Sequence, residues 1–460
     1  MAESSYDCIV IGSGPGGYVA AIRAAQLGMK TAVVESDEIG GRCLNYACIP
    51  AKAVLRVADV LGEIRDAAAF GITVGEPTVD FAAVGERRKK VVKTLTGGVA
   101  GLMKKHAIDV IEGHGVVTDE ANVKVGSNFD GTEYEATFVI LATGSVKRPL
   151  PGTQFGGRVI GTEEAWALKA LPRTLAVVGA GASGTEIASA YARLGSSVTL
   201  YEGLDRVLPA EDADISKIAE RGFKKQAIKV RTGVFVENVV SGPDGVRFTV
   251  AGEPADAEWL VIAAGRAPDV ENLGLEDAGI TLTETGLVAV DGAQRTSLAG
   301  VYAIGDLVPG PALAHKASDE GIIAAEDAAG METHPLEHID IPRATFCLPN
   351  VASFGLTEQQ ARDAGHDVVV GKMGFGAIGA GTVYGDRTGL VKIVGDRTYG
   401  ELLGGHIVGT KATELIQELV NVRALEGGYG EVARIVHGHP TLSEAVMEAA
   451  RDADAWLIHG

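Results

Sequence analysis

Two glycine-rich turns, alike in form and in what flanks them, constrain the fold of this chain more than any other feature. The first, Gly12-Ser13-Gly14-Pro15-Gly16-Gly17, follows the apolar run Cys8-Ile9-Val10-Ile11. That run reads as a buried strand, and the Ala-rich stretch 18–27 behind the turn reads as a helix. A further strand over 30–34 closes at Glu35. The second turn, Gly179-Ala180-Gly181-Ala182-Ser183-Gly184, follows Leu175-Ala176-Val177-Val178; its helix ends at Leu194-Gly195 and its next strand closes at Glu202. Gly12 and Gly179, Gly28 and Gly195, and Glu35 and Glu202 are each 167 residues apart. One spacing kept through two strand–turn–helix–strand units marks an internal repeat.

The chemistry such a unit serves follows from its parts. The first glycine permits the tight turn, the second lets a pyrophosphate approach the main chain, and the last permits close helix–strand packing. The pyrophosphate then meets a helix N-terminus, where free N–H groups and the dipole favour an anion. A carboxylate closing the second strand reaches the ribose hydroxyls of an adenine dinucleotide. Gly12, Gly14, Gly17 and Glu35 are therefore candidate ligands of one dinucleotide, and Gly179, Gly181, Gly184 and Glu202 of another.

Only the first unit is followed by Gly40-Gly41-Arg42-Cys43-Leu44-Asn45-Tyr46-Ala47-Cys48-Ile49-Pro50-Ala51-Lys52, which holds two of the four cysteines. A Cys43–Cys48 bridge closes too short a ring to restrain the unfolded chain much. A short disulfide is easily reduced, which suits an electron relay. The plain alternative is two free thiols in a reducing cell. Structural zinc needs about four ligands, and no second Cys/His pair lies nearby, so no metal is expected. Two dinucleotides beside a dithiol favour electrons moving in series from thiols through one cofactor to another.

At 460 residues the chain has room for about three domains. No apolar run approaches the roughly 20 residues of a membrane span. The opening residues lack the basic and apolar regions of a secretory signal, so a cytoplasmic protein is expected. A net charge of −19 argues against nucleic-acid partners, whose phosphates require a basic face. The strand 138–141 ends at Ala142-Thr143-Gly144, where the chain leaves the first unit, and Pro149 and Pro151 mark the crossing. A charged helix is expected over 84–106, a strand end at Gly305-Asp306, and amphipathic helices over 413–425 and 442–450.

The last constellation is His437-Gly438-His439-Pro440-Thr441-Leu442-Ser443-Glu444. On the residues alone, Thr441 or Ser443 caps the following helix, Glu444 favours its dipole, and both histidines are surface loop residues. The alternative is a His–carboxylate pair in which Glu444 orients His439 as a general base for a substrate thiol.

Taken jointly, these motifs resemble the flavin-dependent pyridine nucleotide–disulfide oxidoreductases over essentially the full length, and within them the branch that oxidises dihydrolipoamide. The resemblance rests on the Gly12 fingerprint, Cys-x4-Cys-Ile-Pro-Ala-Lys, Ala142-Thr143-Gly144, Gly179 to Gly184, Ile304-Gly305-Asp306, Leu313-Ala314-His315-Lys316-Ala317, and His439-Pro440-Thr441 with Glu444. It implies an α/β protein with two Rossmann-like dinucleotide-binding domains plus a C-terminal α+β dimerisation domain. FAD occupies 1–148, NAD+ 149–268, a central domain 269–343 completes the FAD site, and 344–460 forms the homodimer interface. By position, Cys43 is similar to the interchange thiol and Cys48 to the thiol facing the flavin. Lys52 matches the lysine near the flavin N5, paired with a carboxylate matching Glu186. Glu35, Gly115, Thr143, Gly144, Asp306 and Ala314 fit FAD contacts, and Glu202 and Gly265 NAD contacts. The implied partners are a lipoyl-bearing E2 component of a 2-oxo acid dehydrogenase complex or the H protein of glycine cleavage. A glutathione reductase-like enzyme is the alternative, disfavoured because Glu202 would repel the extra phosphate of NADPH. Arg42 and Tyr46-Ala47 depart from the usual residues flanking the cysteines, and Asn350 stands where an acid is common.

Overall fold

The computed structural model describes residues 5–118, 122–126 and 131–460. The chain divides into two compact units, one of Met1–Ala53, Gly85–Arg148 and Gly265–His338, the other of Val54–Val84, Pro149–Ala264 and Ile339–Gly460.

In the first unit, strands Asp109–Glu112, Thr31–Glu35, Ser5–Ile11 and Thr132–Leu141 lie side by side in parallel, with Val301–Ala303 also pairing with Thr132–Leu141. Val123–Gly126 and His114–Val117 extend the sheet antiparallel. The apolar run from Cys8 to Ile11 is buried throughout because a central parallel strand is covered on both faces. Ile9, Ile11, Val34, Val139 and Leu141 enter one core, and Cys8, Val10, Val33 and Ile140 the other. The second core is closed by alanines of two helices, Ala20, Ala21 and Ala24 of Pro15–Gln26 and Ala324, Ala325 and Ala328 of Ala314–Ala328. Their small side chains let the helices approach closely, and a Cβ on Gly321 would stand 2.7 Å from the Gly16 carbonyl oxygen. The first helix begins at Pro15 rather than at the expected residue 18. Proline suits a first helical turn, which needs no N–H donor there. Ser145–Lys147 pairs antiparallel with Arg266–Pro268.

In the second unit, Lys229–Arg231, Ser197–Tyr201, Thr174–Val178, Trp259–Ile262 and Val159–Ile160 form a five-stranded parallel sheet beside a three-stranded antiparallel one. The C-terminal part is an antiparallel sheet ordered Arg343–Thr345, Val351–Gly355, Leu402–Val408, Leu390–Asp396, Val368–Gly374. Helix Glu444–Ala453 lies directly on it, since a Cβ on Gly371 would meet the Ala449 carbonyl oxygen at 1.9 Å. Buried Lys392 bridges Asp212 (2.8 Å), Asp214 (2.9 Å) and Glu358 (2.8 Å), tying this sheet to the N-terminus of helix Ala213–Lys225. The remaining expected helices occur as Phe81–Lys105 and Ala412–Ala424. Among the described residues no helix is long and apolar enough to cross a membrane.

Candidate active site

The two fingerprints have nearly the same geometry. A Cβ on Gly12 would stand 2.5 Å from the Ala142 oxygen, and one on Gly179 would stand 2.5 Å from the Ala263 oxygen. At Gly17 and Gly184 it would fall 1.9 and 1.8 Å from the carbonyl oxygens of Gly12 and Gly179. Gly14 and Gly181 instead face open space, and neither following helix has a side-chain cap. Each turn therefore presents free N–H groups to a space that suits a diphosphate. Glu35 accepts hydrogen bonds from the N–H of Ser13 (2.9 Å) and Asp37 (2.9 Å). Glu202 accepts from Ala180 (2.6 Å) and Leu204 (3.0 Å), the equivalent positions. Both carboxylates are thus held at a strand end with lone pairs left for ribose hydroxyls.

The other residues expected at FAD all lie in the first unit. Gly115 sits in strand His114–Val117, where a Cβ would press on Ile11 (3.1 Å) and Val34 (3.2 Å). The Thr143 hydroxyl donates to the Asp269 carbonyl (2.7 Å), and Gly144 accepts from the Asp269 N–H (2.9 Å). Asp306 accepts from the Ser145 hydroxyl, whose oxygen accepts from Arg266 Nε (2.7 Å). Ala314 opens its helix. Gly265 opens the last segment of the first unit, whereas Gly179, Gly181, Gly184 and Glu202 belong to the second. Likewise Lys52 is in the first unit and Glu186 in the second, where its buried carboxylate accepts from the Phe346 N–H (2.9 Å).

Cys43 lies in the short helix Gly41–Asn45 and Cys48 opens the helix Cys48–Asp66. Both are free thiols, half-buried and hydrogen-bonded to one another. That hydrogen bond, then burial, pushes the Cys43 thiol well up, while the charges of Lys52 and Arg42 pull it down. The expected departures thus act here: Arg42 adds a second cation beside the pair. Burial and a hydrogen bond to Asp37 push the Tyr46 hydroxyl up to about 12.

Ser13, which sequence reasoning passed over, joins this helix to the nucleotide turn. Its hydroxyl donates to Glu35 (2.5 Å) and accepts from the buried N–H of Gly40 (3.0 Å), the residue before the cysteine helix. A Cβ on Gly41 would strike the Gly14 Cα at 2.7 Å, so the helix starts against the phosphate turn itself. The available signal was the contrast of Ser13 with Ala180 at matched positions.

In the C-terminal segment, His439 Nδ1 lies 2.8 Å from Glu444 Oε1, and the imidazole is 75% exposed. A carboxylate only accepts, so Nδ1 carries the proton and Nε2 is left as the base. Burial pulls the Glu444 carboxyl up, but the Thr441 N–H (2.8 Å) and His439 hold it below the usual range. Two expectations are corrected. Neither Thr441 nor Ser443 caps the helix: Ser443 precedes it without a side-chain cap bond, and the Thr441 hydroxyl donates to Gly438. Nor is His437 a surface residue. Its side chain is 4% exposed, with Nε2 2.5 Å from Glu418 and Nδ1 2.8 Å from the Ile435 carbonyl. Both ring nitrogens face acceptors, so each carries a proton and the ring pairs with Glu418, the contact that raises its pKa.

Residues 6–321 match the pyridine nucleotide–disulphide oxidoreductase model, and residues 341–450 match the dimerisation domain of the same family. The chain belongs to the pyridine nucleotide–disulphide oxidoreductases. It is similar to a dihydrolipoyl dehydrogenase of Mycobacterium tuberculosis, 46% identical over 451 residues that span 96% of this chain and 97% of the relative. A dihydrolipoyl dehydrogenase of Bacillus subtilis is 41% identical over 460 residues, covering 98% and 97%. Among solved structures, LpdA of Mycobacterium tuberculosis aligns with a TM-score of 0.90 at 29% identity, over 96% of this chain and 99% of that one. The HOCl-induced flavoprotein disulfide reductase RclA of Escherichia coli aligns at 0.85 and 26%, over 96% and 98%. As a pyridine nucleotide–disulphide oxidoreductase the protein depends on FAD and uses NAD+. Its C-terminal region is the dimerisation domain, which makes it a homodimer.

Proposed function

We propose that the protein is a dihydrolipoyl dehydrogenase, which oxidises protein-bound dihydrolipoamide to lipoamide and delivers the electron pair to NAD+. The observation that carries this reading is the hydrogen-bonded Cys43–Cys48 thiol pair, with Cys43 on a short helix anchored to the glycine turn of the first nucleotide unit.

The reaction begins with Cys43 and Cys48 joined as a disulfide. His439 Nε2, supplied by the partner subunit's C-terminal domain and oriented by Glu444, takes the proton from one substrate thiol. The resulting thiolate attacks Cys43 Sγ, the bond to Cys48 breaks, and its electron pair stays on Cys48 as a thiolate. The second substrate thiol displaces Cys43 from the mixed disulfide, and its proton passes to the departing Cys43 sulfur. Lipoamide leaves as a closed disulfide, and two electrons remain on the dithiol. The cationic charges of Lys52 and Arg42 favour the thiolate form. Lys52 is matched by position to the lysine near the flavin, and Glu186 to the carboxylate that goes with it. FAD, when bound, would supply the two-electron chemistry that links the dithiol to NAD+. Gly12, Gly14, Gly17, Glu35, Gly115, Thr143, Gly144, Asp306 and Ala314 would hold it, with Glu35 matched to the ribose and Asp306 to the ribityl chain. Gly179, Gly181, Gly184 and Glu202 would hold NAD+, and Gly265 is carried over to the same cofactor by position alone. Glu202 accepts from the adenosine ribose and repels a 2′-phosphate, while Arg206 bonds the Pro209 carbonyl (3.2 Å) and lies beside Asp205.

The division into residues 1–148, 149–268, 269–343 and 344–460 follows from this reading. So do a lipoyl-bearing E2 component or glycine-cleavage H protein as partner, and a cytoplasmic location. Cys48→Ser should abolish dihydrolipoamide oxidation with FAD still bound. His439→Gln should slow it by about 10²–10⁴-fold, the usual loss with a general base. In that variant NADH should still reduce the flavin. Near-normal lipoamide turnover in Cys48→Ser would overturn the relay, and comparable rates with NADPH would point to a glutathione reductase-like enzyme.

A further inference from the structure

Helix Ala314–Ala328 buries a complete ion pair one turn apart: the side chains of Lys316 and Glu320 are 0% and 1% exposed. A pair withdrawn from water adds little stability beyond what apolar side chains of its size would give, so the groups it touches carry the information. Both members act on one residue. Glu320 Oε2 accepts from the Gly305 N–H (2.7 Å), and Lys316 Nζ donates to the Gly305 carbonyl (2.9 Å) and to Glu320 Oε2 (3.1 Å). Gly305 sits at φ +75°, in the left-handed region, and a Cβ there would press on that of Ala317 (3.2 Å). Its N–H and its carbonyl are thus each held by a charge, where the chain turns from strand Val301–Ala303 into Asp306.

The second unit satisfies the same main-chain groups without such a pair. Strand Val159–Ile160 lies parallel beside Trp259–Ile262 as Val301–Ala303 lies beside Thr132–Leu141. After it, the Gly161 N–H goes to Glu164 (2.9 Å) and the Gly161 carbonyl accepts from the Ala165 N–H (3.1 Å), the bonds of an ordinary helix start. NAD+ has no ribityl chain, and the residue after Gly161 is Thr162. FAD has one, and the residue after Gly305 is the acid matched to it. We propose that Lys316 and Glu320 are positioning residues for FAD, a two-sided clamp on Gly305 that fixes where the Asp306 carboxylate stands. The proposal rests on the reading of Asp306 as a flavin ligand.

The test follows FAD release from the holoenzyme, by the rise in flavin fluorescence on dilution, in four proteins: wild type, Asp306→Asn, Lys316→Met/Glu320→Gln and the triple variant. The double change leaves no unpaired charge and keeps an acceptor for the Gly305 N–H. It should speed release about tenfold, the equivalent of one charge-assisted hydrogen bond, and shift the flavin absorbance maxima. Added to Asp306→Asn, it should change release by less than about twofold, because a clamp that works through Asp306 has nothing left to position. Effects that multiply in full would overturn the proposal and make the pair a packing element, as would release unchanged in the double variant. Glu320→Gln alone runs the same cycle should the double variant not fold, and it should show the same non-additivity. Release from Asp306→Asn no faster than from wild type would instead overturn the reading of Asp306.

Discussion

The two glycine turns share their spacing, the close approaches at Gly12/Gly179 and Gly17/Gly184, and the pair of main-chain bonds that fixes each strand-end acid. They differ at three positions, Ser13/Ala180, Pro15/Ala182 and Gly16/Ser183, and the first of these changes the hydrogen bonding of the strand-end acid. Ser13 carries a hydroxyl that Glu35 and the Gly40 N–H share, whereas Ala180 carries a methyl and Glu202 receives only main-chain donors in that bond. The first turn is thereby built into the helix that bears Cys43, with Gly41 against Gly14; the second has no redox appendage to hold. One nucleotide chassis serves two tasks, and the extra hydrogen bond stands where the redox pair must be held in register with a cofactor.

Separate alanines at the packing glycines test whether the two turns act independently. Gly17→Ala should yield protein that retains no FAD on purification, because a methyl 1.9 Å from a carbonyl oxygen has no room to relax. Gly184→Ala should keep its flavin absorbance yet raise KM for NAD+ by about 10²-fold or more, the equivalent of roughly 3 kcal/mol. Loss of flavin from Gly184→Ala would show that the second turn supports the first.

The acids come next. The wild-type kcat/KM should favour NAD+ over NADP+ by about 10²-fold, since a desolvated like-charge contact costs several kcal/mol. Glu202→Gln should erode that ratio about tenfold without changing FAD content. Glu35→Gln should do the reverse, weakening FAD and sparing the ratio. A preference unmoved by Glu202→Gln would deny the carboxylate its role.

A smaller effect is expected from making the first turn like the second. Ser13→Ala leaves the buried Gly40 N–H without its partner, worth about 1–3 kcal/mol, seen as a lower unfolding temperature and faster FAD release. An unchanged midpoint would mean that Gly41 packing alone secures the cysteine helix. The mirror change, Ala180→Ser, should alter stability by about 0.5 kcal/mol or less, because no counterpart of Gly40 waits for the new hydroxyl.

Both nucleotide units were legible in the sequence because their determinants are local: a buried apolar strand, glycines that admit close backbone contact, and an acid at a set distance. The Cys43–Cys48 pair and the His439–Glu444 pair, five residues apart in each case, were legible for the same reason. What escaped depends on residues far along the chain. His437 reads like His439 in a linear sequence, but Glu418 takes it into a buried ion pair and leaves His439 in solvent. Ser145 reaches Asp306 across 161 residues and is itself held by Arg266 across 121, and Phe235 meets Gly203 only after helix Ala213–Lys225 has intervened. Local geometry and composition are written in neighbouring residues, so the sequence by itself determined the repeat, the dithiol and the fold class. Which of two similar side chains is buried, and which ring stands over which glycine, depends on partners that only the folded chain brings within a few ångströms, and tertiary structure alone decided those.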